Sequence, residues 1–367
     1  MAGAVRGAGR RRRAVQPMSA GLQPSGRDPI LIWGAGAIGG TVGAYLVRAG
    51  VPVVFVDRDL DHVAAINAKG LHIEGPIEEF TVRAPAYGPD DVPGVFRRTL
   101  LCVKAQHTEE AARSLAKHLA EDGYVASFQN GLNELVIADV VGRERTLGAF
   151  VNFGADYMAP GVVQFAGRGA VVLGELDGAI TPRLQDLHAL MLLFEPNAIT
   201  TSNIMGYLWG KLGYGALLFA TALTNASICE GLGAREPRAL LRALAGEAVE
   251  VATMLKVDCL GFNGYDPAAF APGASDAAAD ASFDAMVAHN AKSAKTHSGI
   301  WRDLAVRKRR TEADAQLGPI VTFGQQVGVR TPVTSNLIAM IHEIEDGTRP
   351  LAWENLDELG RRVWRAA

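Results

Sequence analysis

Short apolar runs alternate with amphipathic segments along residues 29–196 of the chain. The apolar runs, which predict β-strands, lie at 29–33, 52–56, 99–103 and 124–128. The segments between them have apolar residues at helical spacing and lie at 38–48, 60–69 and 109–119. This order predicts an α/β fold with a Rossmann-type, doubly wound parallel sheet. Two later apolar runs, at 161–163 and 170–173, are expected to extend the sheet with antiparallel strands.

The pattern changes near residue 199, beyond which the apolar residues recur mainly with helical spacing. Amphipathic helices are predicted at 238–255, 283–295 and 317–327. Residues 266–281 are rich in Ala, Gly, Pro and Asp and predict a loop. We therefore expect a Rossmann-type domain at 29–196 and an all-helical C-terminal domain at 197–367. Ligand sites favour clefts between domains, so a site is expected where these two meet.

The 367 residues are 49% hydrophobic and 20% charged, which suits folded domains with substantial cores. The net charge is −3, but the first 27 residues hold six arginines and no acidic residue, so the remainder carries −9. An acidic body argues against nucleic acid as the main partner. The N-terminal segment lacks the apolar region of a secretory signal. Residues 1–28 are predicted to be a disordered basic tail, because such basic arms usually stay solvated. A true start at Met18 and an organellar transit peptide are the alternatives.

Three widely spaced cysteines, Cys102, Cys229 and Cys259, form neither a disulfide framework nor a zinc motif. They indicate a reducing compartment, and we expect the cytoplasm. The most apolar stretch, residues 212–229, contains glycine, threonine and asparagine, and it predicts a buried helix rather than a membrane span. No cluster of histidines or carboxylates has metal-ligand spacing, so no metal site is expected.

A glycine-rich motif follows the first predicted strand. The pattern G-x-G-x-x-G is formed by Gly34, Ala35, Gly36, Ala37, Ile38 and Gly39. Gly34 permits a tight turn, Gly36 lets a pyrophosphate approach the backbone, and Gly39 lets the helix pack closely on the strand. The free amide groups and the positive dipole end at the start of the helix favour phosphate. The position between a strand and a helix predicts a dinucleotide site rather than an ordinary glycine turn.

The second predicted strand is followed by Asp57, 23 residues after Gly34, where an acidic residue usually binds the adenosine ribose hydroxyls. A carboxylate there favours NAD, because it would repel the 2′-phosphate of NADP. The adjacent Arg58 argues the other way, because a guanidinium pairs well with phosphate. We therefore expect NAD or NADP as the cofactor, with a preference for NAD.

Polar residues also follow two later strands. Lys104 comes directly after the strand at 99–103, and Asn130 precedes a glycine just beyond the strand at 124–128. In sheets of this kind the ligand lies beyond the carboxyl ends of the strands. Both side chains are therefore expected beside the nicotinamide.

Two segments of the helical half carry further candidates. Lys211 lies in a Trp-Gly-Lys sequence at the start of the apolar helix, and Ser298 and Glu312 lie in a later polar segment. On one continuous helix Ser298 and Glu312 would share a face with Arg302 and Arg309. Either arginine is then a candidate for binding a substrate carboxylate, because a guanidinium binds a carboxylate through two hydrogen bonds.

In this order, the glycine motif, the strand-end lysine, the Asn-Gly pair, the Trp-x-Lys segment and the Thr-Glu pair resemble the ketopantoate reductase (2-dehydropantoate 2-reductase) family over about residues 29–345. The resemblance implies reduction of a small 2-oxo acid by NAD(P)H, often in a homodimer. It implies that Lys211 is the general acid and that Glu312 binds the substrate. It also implies that Lys104 and Asn130 line the cofactor side of the pocket.

The resemblance is incomplete in the substrate pocket. The family's substrate-contacting serine falls on Ser298, or is lost at the neighbouring Gly299. Asparagines typically lie four and eight residues after the family's lysine, where this chain has Gly215 and Phe219. Hydrogen bonds give the sharpest discrimination between substrates, so their loss weakens recognition of a hydroxylated acid. We expect a 2-oxo acid that is bulkier or less polar than ketopantoate.

Two other functions fit part of the pattern. Other nicotinamide-dependent dehydrogenases, which act on 2-hydroxy acids, opines or acyl thioesters, commonly use a catalytic histidine. His107, His289 and His297 are present, but none lies in a clear motif. A non-catalytic dinucleotide sensor is the third possibility, since a fold does not imply a function. The presence of Lys211 together with Glu312 argues against a sensor.

Overall fold

The computed structural model describes residues 28–292 and 296–364. The predicted basic tail therefore lies outside the described residues, apart from Asp28. The strands of the described part are β1 (Ile30–Trp33), β2 (Val53–Val56), β3 (Leu71–Glu74), β4 (Phe80–Val82), β5 (Ala86–Tyr87), β6 (Phe96–Leu101), β7 (Leu119–Ser127), β8 (Thr146–Val151), β9 (Gly154–Ala159), β10 (Val162–Gly167), β11 (Val171–Glu175) and β12 (Ile199–Thr200).

Eight of these strands form one sheet in the order β12-β11-β8-β7-β6-β1-β2-β5. The six strands β8, β7, β6, β1, β2 and β5 run parallel to one another, whereas β11 runs antiparallel to β8. Every residue of β1 and β2 is buried, as expected for a parallel sheet covered on both faces. The predicted doubly wound sheet is confirmed, and so is its antiparallel extension by the run at 170–173.

The expectation that the run at 161–163 also extends this sheet is wrong. It lies in β10, which belongs to a separate sheet of order β4-β3-β10-β9. The helix after β1 is sandwiched between the two sheets and has glycines toward both. A Cβ at Gly40 would lie 3.2 Å from the Val163 side chain, and one at Gly43 would overlap the Phe55 ring. The glycines let this helix pack closely against both sheets, and β10 lies on its second face.

The helices of the described part are α1 (Ala37–Arg48), α2 (Leu60–Lys69), α3 (Thr108–Leu115), α4 (Asn133–Val141), α5 (Pro182–Met191), α6 (Ile204–Thr221), α7 (Ile228–Gly233), α8 (Arg238–Met254), α9 (Asp276–Asn290), α10 (Gly299–Trp301), α11 (Ala313–Val327), α12 (Pro332–Glu345) and α13 (Glu354–Trp364). Beyond β12 the described chain is helical, which confirms the fold class. Helix α6 runs through the helical core, with most of its residues buried. The division at 196/197 remains a prediction.

Two details of the helical half differ from expectation. The predicted loop at 266–281 ends early, because α9 begins at Asp276 with the Ser275 hydroxyl accepting a hydrogen bond from the Ala278 amide at 3.2 Å. Ser298 and Glu312 also do not share one helix. The chain leaves helical geometry at Lys308, which has φ +51°, so the shared face expected for residues 298–312 is wrong.

Candidate active site

The glycine-rich loop joins β1 to α1 at the carboxyl edge of the main sheet. Gly34 has φ +100°, and a Cβ there would lie 2.8 Å from the Val103 backbone nitrogen. At Gly36, by contrast, a Cβ would meet no heavy atom within 4 Å. Gly36 also starts α1 without a side-chain cap, which leaves the first amide groups of the helix open to an anion. This cradle fits the pyrophosphate of a dinucleotide.

Asp57 lies beside this loop. Its Oδ2 accepts a hydrogen bond from the Ala35 amide at 2.9 Å, and its Oδ1 accepts one from the Asp59 amide at 3.0 Å. The neighbouring Arg58 is exposed, with Nη1 3.4 Å from Nδ1 of His107. Burial and the charge of Arg58 lower the pKa of His107, which keeps the imidazole neutral at pH 7. The carboxylate is therefore fixed at the loop, whereas the guanidinium lies at the surface.

A buried histidine that the sequence analysis missed supports the same loop. His62 has no exposed surface, and its Nδ1 accepts a hydrogen bond from the Gly161 amide at 2.9 Å. Its Nε2 therefore carries the proton and donates it to the Ala35 carbonyl, also at 2.9 Å. The partners are 27 and 99 positions away in the chain, so sequence spacing holds no sign of this role.

Lys104 follows β6 and reaches across to the helical half. Its Nζ donates to Oδ2 of Asp303 at 3.1 Å. Asp303 also accepts hydrogen bonds from Arg307 at 3.1 Å and from Arg309 at 2.9 Å. Burial acts to raise the pKa of Asp303, but Lys104 and Arg309 outweigh it and hold the pKa below its usual range. An ionised aspartate thus joins the end of β6 to the segment before α11.

The Asn130–Gly131 turn follows β7 at the same edge. The Asn130 carbonyl accepts a hydrogen bond from Nδ2 of Asn133 at 2.6 Å, and the Asn130 residue is exposed. Gly131 has φ +103°, and a Cβ there would lie 3.1 Å from the Ala315 carbonyl oxygen. Gln129 ties the turn to its neighbour, because its Nε2 donates to the Val103 carbonyl at 2.9 Å. The turn therefore needs its glycine, and it abuts the first turn of α11.

Lys211 lies in α6, and its side chain reaches β8, the third parallel strand that ends at this edge of the sheet. Its Nζ donates to the Val151 carbonyl, at the end of β8, over 2.6 Å. The same nitrogen lies 5.3 Å from the centroid of the Phe150 ring, a favourable cation–π distance. Both contacts fix the ammonium group at the junction of the sheet and the helical half.

Glu312 lies directly before α11. Its Oε1 accepts a hydrogen bond from the Ala105 amide at 2.8 Å, one residue after Lys104. The structure thus places Lys104, Asn130, Lys211 and Glu312 at the carboxyl ends of the adjacent strands β6, β7 and β8. Their contacts there join the two halves of the chain.

The remaining pocket candidates occupy three different environments. Gly215 is half-buried one turn beyond Lys211, and its nearest neighbour outside the helix is Oε1 of Gln316, 4.0 Å from an ideal Cβ. Phe219 lies in the helical core with 0% exposure, so it has no surface with which to line the cleft. Ser298 is buried, and its hydroxyl accepts the Trp301 amide at 3.1 Å as the cap of α10.

Both arginines considered for a substrate carboxylate already have acidic partners. Arg302 donates to Oδ2 of Asp156 in β9 at 2.6 Å, and Arg309 donates to Asp303. Asp156 was missed in the sequence because its partner is 146 positions away. Arg302 joins the small sheet to the segment before α11, and Arg309 pairs with the aspartate that Lys104 binds, so we assign the two arginines to the domain junction.

A dinucleotide cradle next to a lysine, an asparagine and a glutamate at the ends of parallel strands defines a nicotinamide-dependent oxidoreductase with a helical second domain. The chain belongs to the ketopantoate reductase family. The family model described as "Ketopantoate reductase PanE/ApbA" matches residues 30–178, and "Ketopantoate reductase PanE/ApbA C terminal" matches residues 203–345.

The chain is also similar in sequence to 2-dehydropantoate 2-reductases from other organisms. The chain is 29% identical over 325 residues to the 2-dehydropantoate 2-reductase of Archaeoglobus fulgidus, covering 87% of this chain and 98% of the relative. It is 33% identical over 185 residues to the 2-dehydropantoate 2-reductase of Pyrococcus abyssi, but this match spans 50% of the chain and only 59% of that relative.

Two solved structures share the fold. A PanE/ApbA family ketopantoate reductase from Ralstonia eutropha JMP134 has a TM-score of 0.72 and 28% identity, covering 87% of this chain and 99% of that one. A D-mandelate dehydrogenase in complex with NADH and anilino(oxo)acetate has a TM-score of 0.75 with the same coverage. Its 23% identity makes it a likeness of fold alone.

Residues 28–292 and 296–364 contain neither a membrane-spanning helix nor a metal-binding cluster. No helix there combines the length and the apolar character needed to cross a membrane. In the same ranges, no three histidine, cysteine or carboxylate side chains are grouped so that they could hold a metal ion. The three cysteines are free thiols.

Proposed function

We propose that the chain reduces a 2-oxo acid to a 2-hydroxy acid with a reduced nicotinamide cofactor. The observation that carries the proposal is the meeting of Lys104, Asn130, Lys211 and Glu312 at the ends of β6, β7 and β8, next to a cradle for a dinucleotide. The bound cofactor supplies a hydride to the keto carbon. The side chains of this edge then have to bind the acid and stabilise the oxygen.

Lys211 is the proton donor in this proposal. As the keto carbon is reduced, negative charge develops on its oxygen, and the Lys211 Nζ can stabilise that charge and donate a proton. The Val151 carbonyl and the Phe150 ring hold this nitrogen in place. Glu312 can bind the substrate hydroxyl or Lys211 itself through a charge-assisted hydrogen bond.

The other site residues have supporting roles. We assign Lys104 and Asn130 to the cofactor side of the pocket, because Lys104 follows the strand next to the glycine-rich loop and Asn130 follows the strand after it. The Ser298 hydroxyl accepts the Trp301 amide as the cap of α10, which leaves its O–H to donate, so we keep Ser298 as a substrate-binding residue. Phe219 is left out of the pocket because it is fully buried in the helical core.

We propose NADH as the preferred cofactor. Asp57 is fixed beside the glycine-rich loop by the Ala35 and Asp59 amides, in the position where a carboxylate accepts hydrogen bonds from the ribose hydroxyls. Arg58 is exposed, and its Nη1 lies beside the neutral ring of His107 rather than beside the glycine-rich loop, so we assign it no phosphate pocket. The negative charge of Asp57 would also repel the 2′-phosphate of NADPH.

We propose a substrate that is bulkier than ketopantoate. Gly215 lies one turn beyond Lys211 on α6, and an ideal Cβ there would meet no heavy atom outside the helix closer than Oε1 of Gln316, at 4.0 Å, so the space above Gly215 is open. The Gln316 amide is then the polar group closest to that space. An aryl or branched 2-oxo acid would use this volume, whereas a hydroxylated acid would lack the amide of an asparagine at 215.

The test is oxidation of NADH and of NADPH by the purified protein with ketopantoate and, in parallel, with phenylglyoxylate. Turnover that is lost in Lys211→Ala supports the reaction, and the better cofactor decides between Asp57 and Arg58. Higher kcat/KM for phenylglyoxylate supports the larger pocket. A clear preference for ketopantoate would exclude it, and cofactor binding without turnover of any 2-oxo acid would favour a sensor.

We also propose a homodimer in the cytoplasm. The family resemblance supports the dimer, and the free thiols Cys102, Cys229 and Cys259 suit a reducing compartment. Light scattering after size-exclusion chromatography tests the dimer, for which a mass near twice 38.9 kDa is expected. A mass that stays at one chain over a wide concentration range would exclude it.

A further inference from the structure

A buried carboxyl group beneath the Asn130–Gly131 turn has no part in the site as described so far. Glu134 is the second residue of α4 and has 0% exposure. Neither of its carboxyl oxygens has a hydrogen-bond partner among the described residues. Burying an unpartnered carboxyl group is costly, and such groups recur where a protein uses their titration.

Glu134 and Lys211 approach the same strand from two helices. A Cβ at Gly148 of β8 would lie 3.5 Å from Cγ of Glu134 and 2.8 Å from the side chain of Ile204, which begins α6. Further along β8, the Val151 carbonyl accepts the hydrogen bond from Lys211. The Glu134 side chain and the start of α6 therefore pack against the same position of β8, and the last residue of that strand binds Lys211.

Lys211 is the charged side chain that acts most on the Glu134 carboxyl group. Burial raises the pKa of Glu134 to about 8, and its own amide, the Ser127 hydroxyl and, as the nearby charge, the Lys211 ammonium act to lower it. The nearby Ser127 hydroxyl and Ala149 amide are not in hydrogen-bonding geometry with the carboxyl group.

The other elements that contact α4 contribute no comparable charge. Strand β8 has no titratable side chain. Helix α6 contributes Lys211 together with the phenols of Tyr207 and Tyr214. The further titratable side chains on α4 and on the elements packed against it are the exposed Glu109, Glu110, Arg113, Glu121, Asp122, Asp139, Arg143 and Glu144, the half-buried Arg145 and the buried Tyr124.

We propose that Glu134 is a positioning residue that keeps Lys211 protonated, with the carboxyl and ammonium groups forming one coupled pair behind the substrate pocket. The proposal rests on the proposed role of Lys211 as the proton donor. In weakly alkaline solution the carboxyl group ionises, and its charge then stabilises the ammonium group through a poorly solvated region. The enzyme would therefore stay active to higher pH than a lone lysine allows.

The first test is the pH profile of kcat/KM for Glu134→Gln against wild type. Glutamine keeps the shape and removes the charge, so the alkaline limb should move to lower pH by about one unit. Glu247→Gln is the matched control, because Glu247 is a buried glutamate in α8 whose pKa is also raised by burial. Its carboxylate caps α12 through the Val333 and Thr334 amides, both at 2.8 Å. The control should lower stability and leave the alkaline limb in place.

The second test needs no turnover and is made on the cofactor-free protein. The chain has eight lysines, so the ¹³Cε signals of labelled lysine can be assigned, with Lys211→Arg identifying that of Lys211. In Glu134→Gln the pH at which Lys211 deprotonates should fall by about one unit. An unchanged Lys211 titration in Glu134→Gln, or the same shift in Glu247→Gln, overturns the proposal.

The two tests also separate the two proposals. If no 2-oxo acid is reduced, the proposed function fails, and the Lys211 titration still decides the coupling. If Glu134→Gln does not fold, the wild-type titration decides: the Lys211 signal should show a second inflection near pH 8, where Glu134 ionises. A single-step titration overturns the coupling.

Discussion

Lys104 and Asp303 form an ion pair across the domain junction, with Nζ 3.1 Å from Oδ2, although they are 199 positions apart in the chain. The next residue, Ala105, donates its amide to Glu312 at 2.8 Å. Two consecutive residues after β6 are therefore attached to the segment that leads into α11. The position of Glu312 relative to the sheet depends on these contacts, so residues of the junction should influence both stability and turnover.

The Asp303 carboxylate should make stability depend on pH. Its pKa is held below the usual range, so its contribution is present above the unfolded pKa of about 4 and is lost as pH falls through the folded pKa. Asp303→Asn should destabilise the protein by about 1–2 kcal/mol at pH 7, a figure reduced for the partial exposure of its partners. Urea unfolding at a series of pH values checks this. A difference between variant and wild type that persists undiminished below pH 3 would contradict it.

Lys211→Ala should lower kcat about 10²- to 10⁴-fold, because the developing charge on the substrate oxygen loses its proton donor. The dissociation constant for NADH should stay within about threefold of wild type, since the glycine-rich loop is untouched. Steady-state kinetics and NADH fluorescence measure the two effects. Lys117→Ala, an exposed lysine, is the control and should behave as wild type. Loss of NADH binding in Lys211→Ala would indicate a structural role instead.

Gly34→Ala and Gly36→Ala should differ in what they damage. A Cβ at Gly34 is crowded by Val103 at a positive φ, so this variant should lose about 1–3 kcal/mol of stability. A Cβ at Gly36 meets nothing within 4 Å, so this variant should keep its stability and bind NADH at least tenfold more weakly. Thermal unfolding and NADH titration of both variants make the comparison. Equal loss of stability in both would contradict the assignment of Gly36 to the pyrophosphate.

Gly215→Asn should change substrate preference. The amide would occupy the space between α6 and Gln316, which should raise kcat/KM for ketopantoate relative to phenylglyoxylate by about tenfold. Gly215→Ala is the control for helix propensity, since it adds a methyl group without a polar atom. Competition kinetics with the two acids give the ratio directly. If both variants shift the ratio equally, the effect is steric and the amide has no role.

Much of the fold follows from local pattern. The helix predicted at 60–69 is α2 (Leu60–Lys69), and the strand predicted at 29–33 is β1 to within a residue, because uninterrupted apolar runs and helical periodicity are strong signals. β10 was misplaced because a strand's apolar face does not specify which sheet it joins. Its partner β3 lies about ninety residues earlier, and the small sheet that they form packs on α1 at Gly40.

Some positions of the candidate site could likewise be predicted from local sequence, and others could not. The positions of Lys104 and Asn130 follow from the rule that loops after parallel strands converge on one edge. The surroundings of Lys211 could not be predicted in this way. Its contacts with Val151 and Phe150 form only when the helical half packs against β8. Phe219 shows the limit of spacing on a helix: eight residues after Lys211 it has rotated into the core, with no surface on the cleft.

The sequence by itself determined the class of fold, the dinucleotide loop and the strand-end candidates, since each depends on residues close together in the chain. The tertiary structure alone decided which groups face one another across the junction. Arg302 pairs with Asp156 and Lys104 with Asp303 through contacts between distant segments. The burial of Glu134 behind β8 was decided in the same way. Such contacts depend on how two domains pack, and local periodicity carries no information about that.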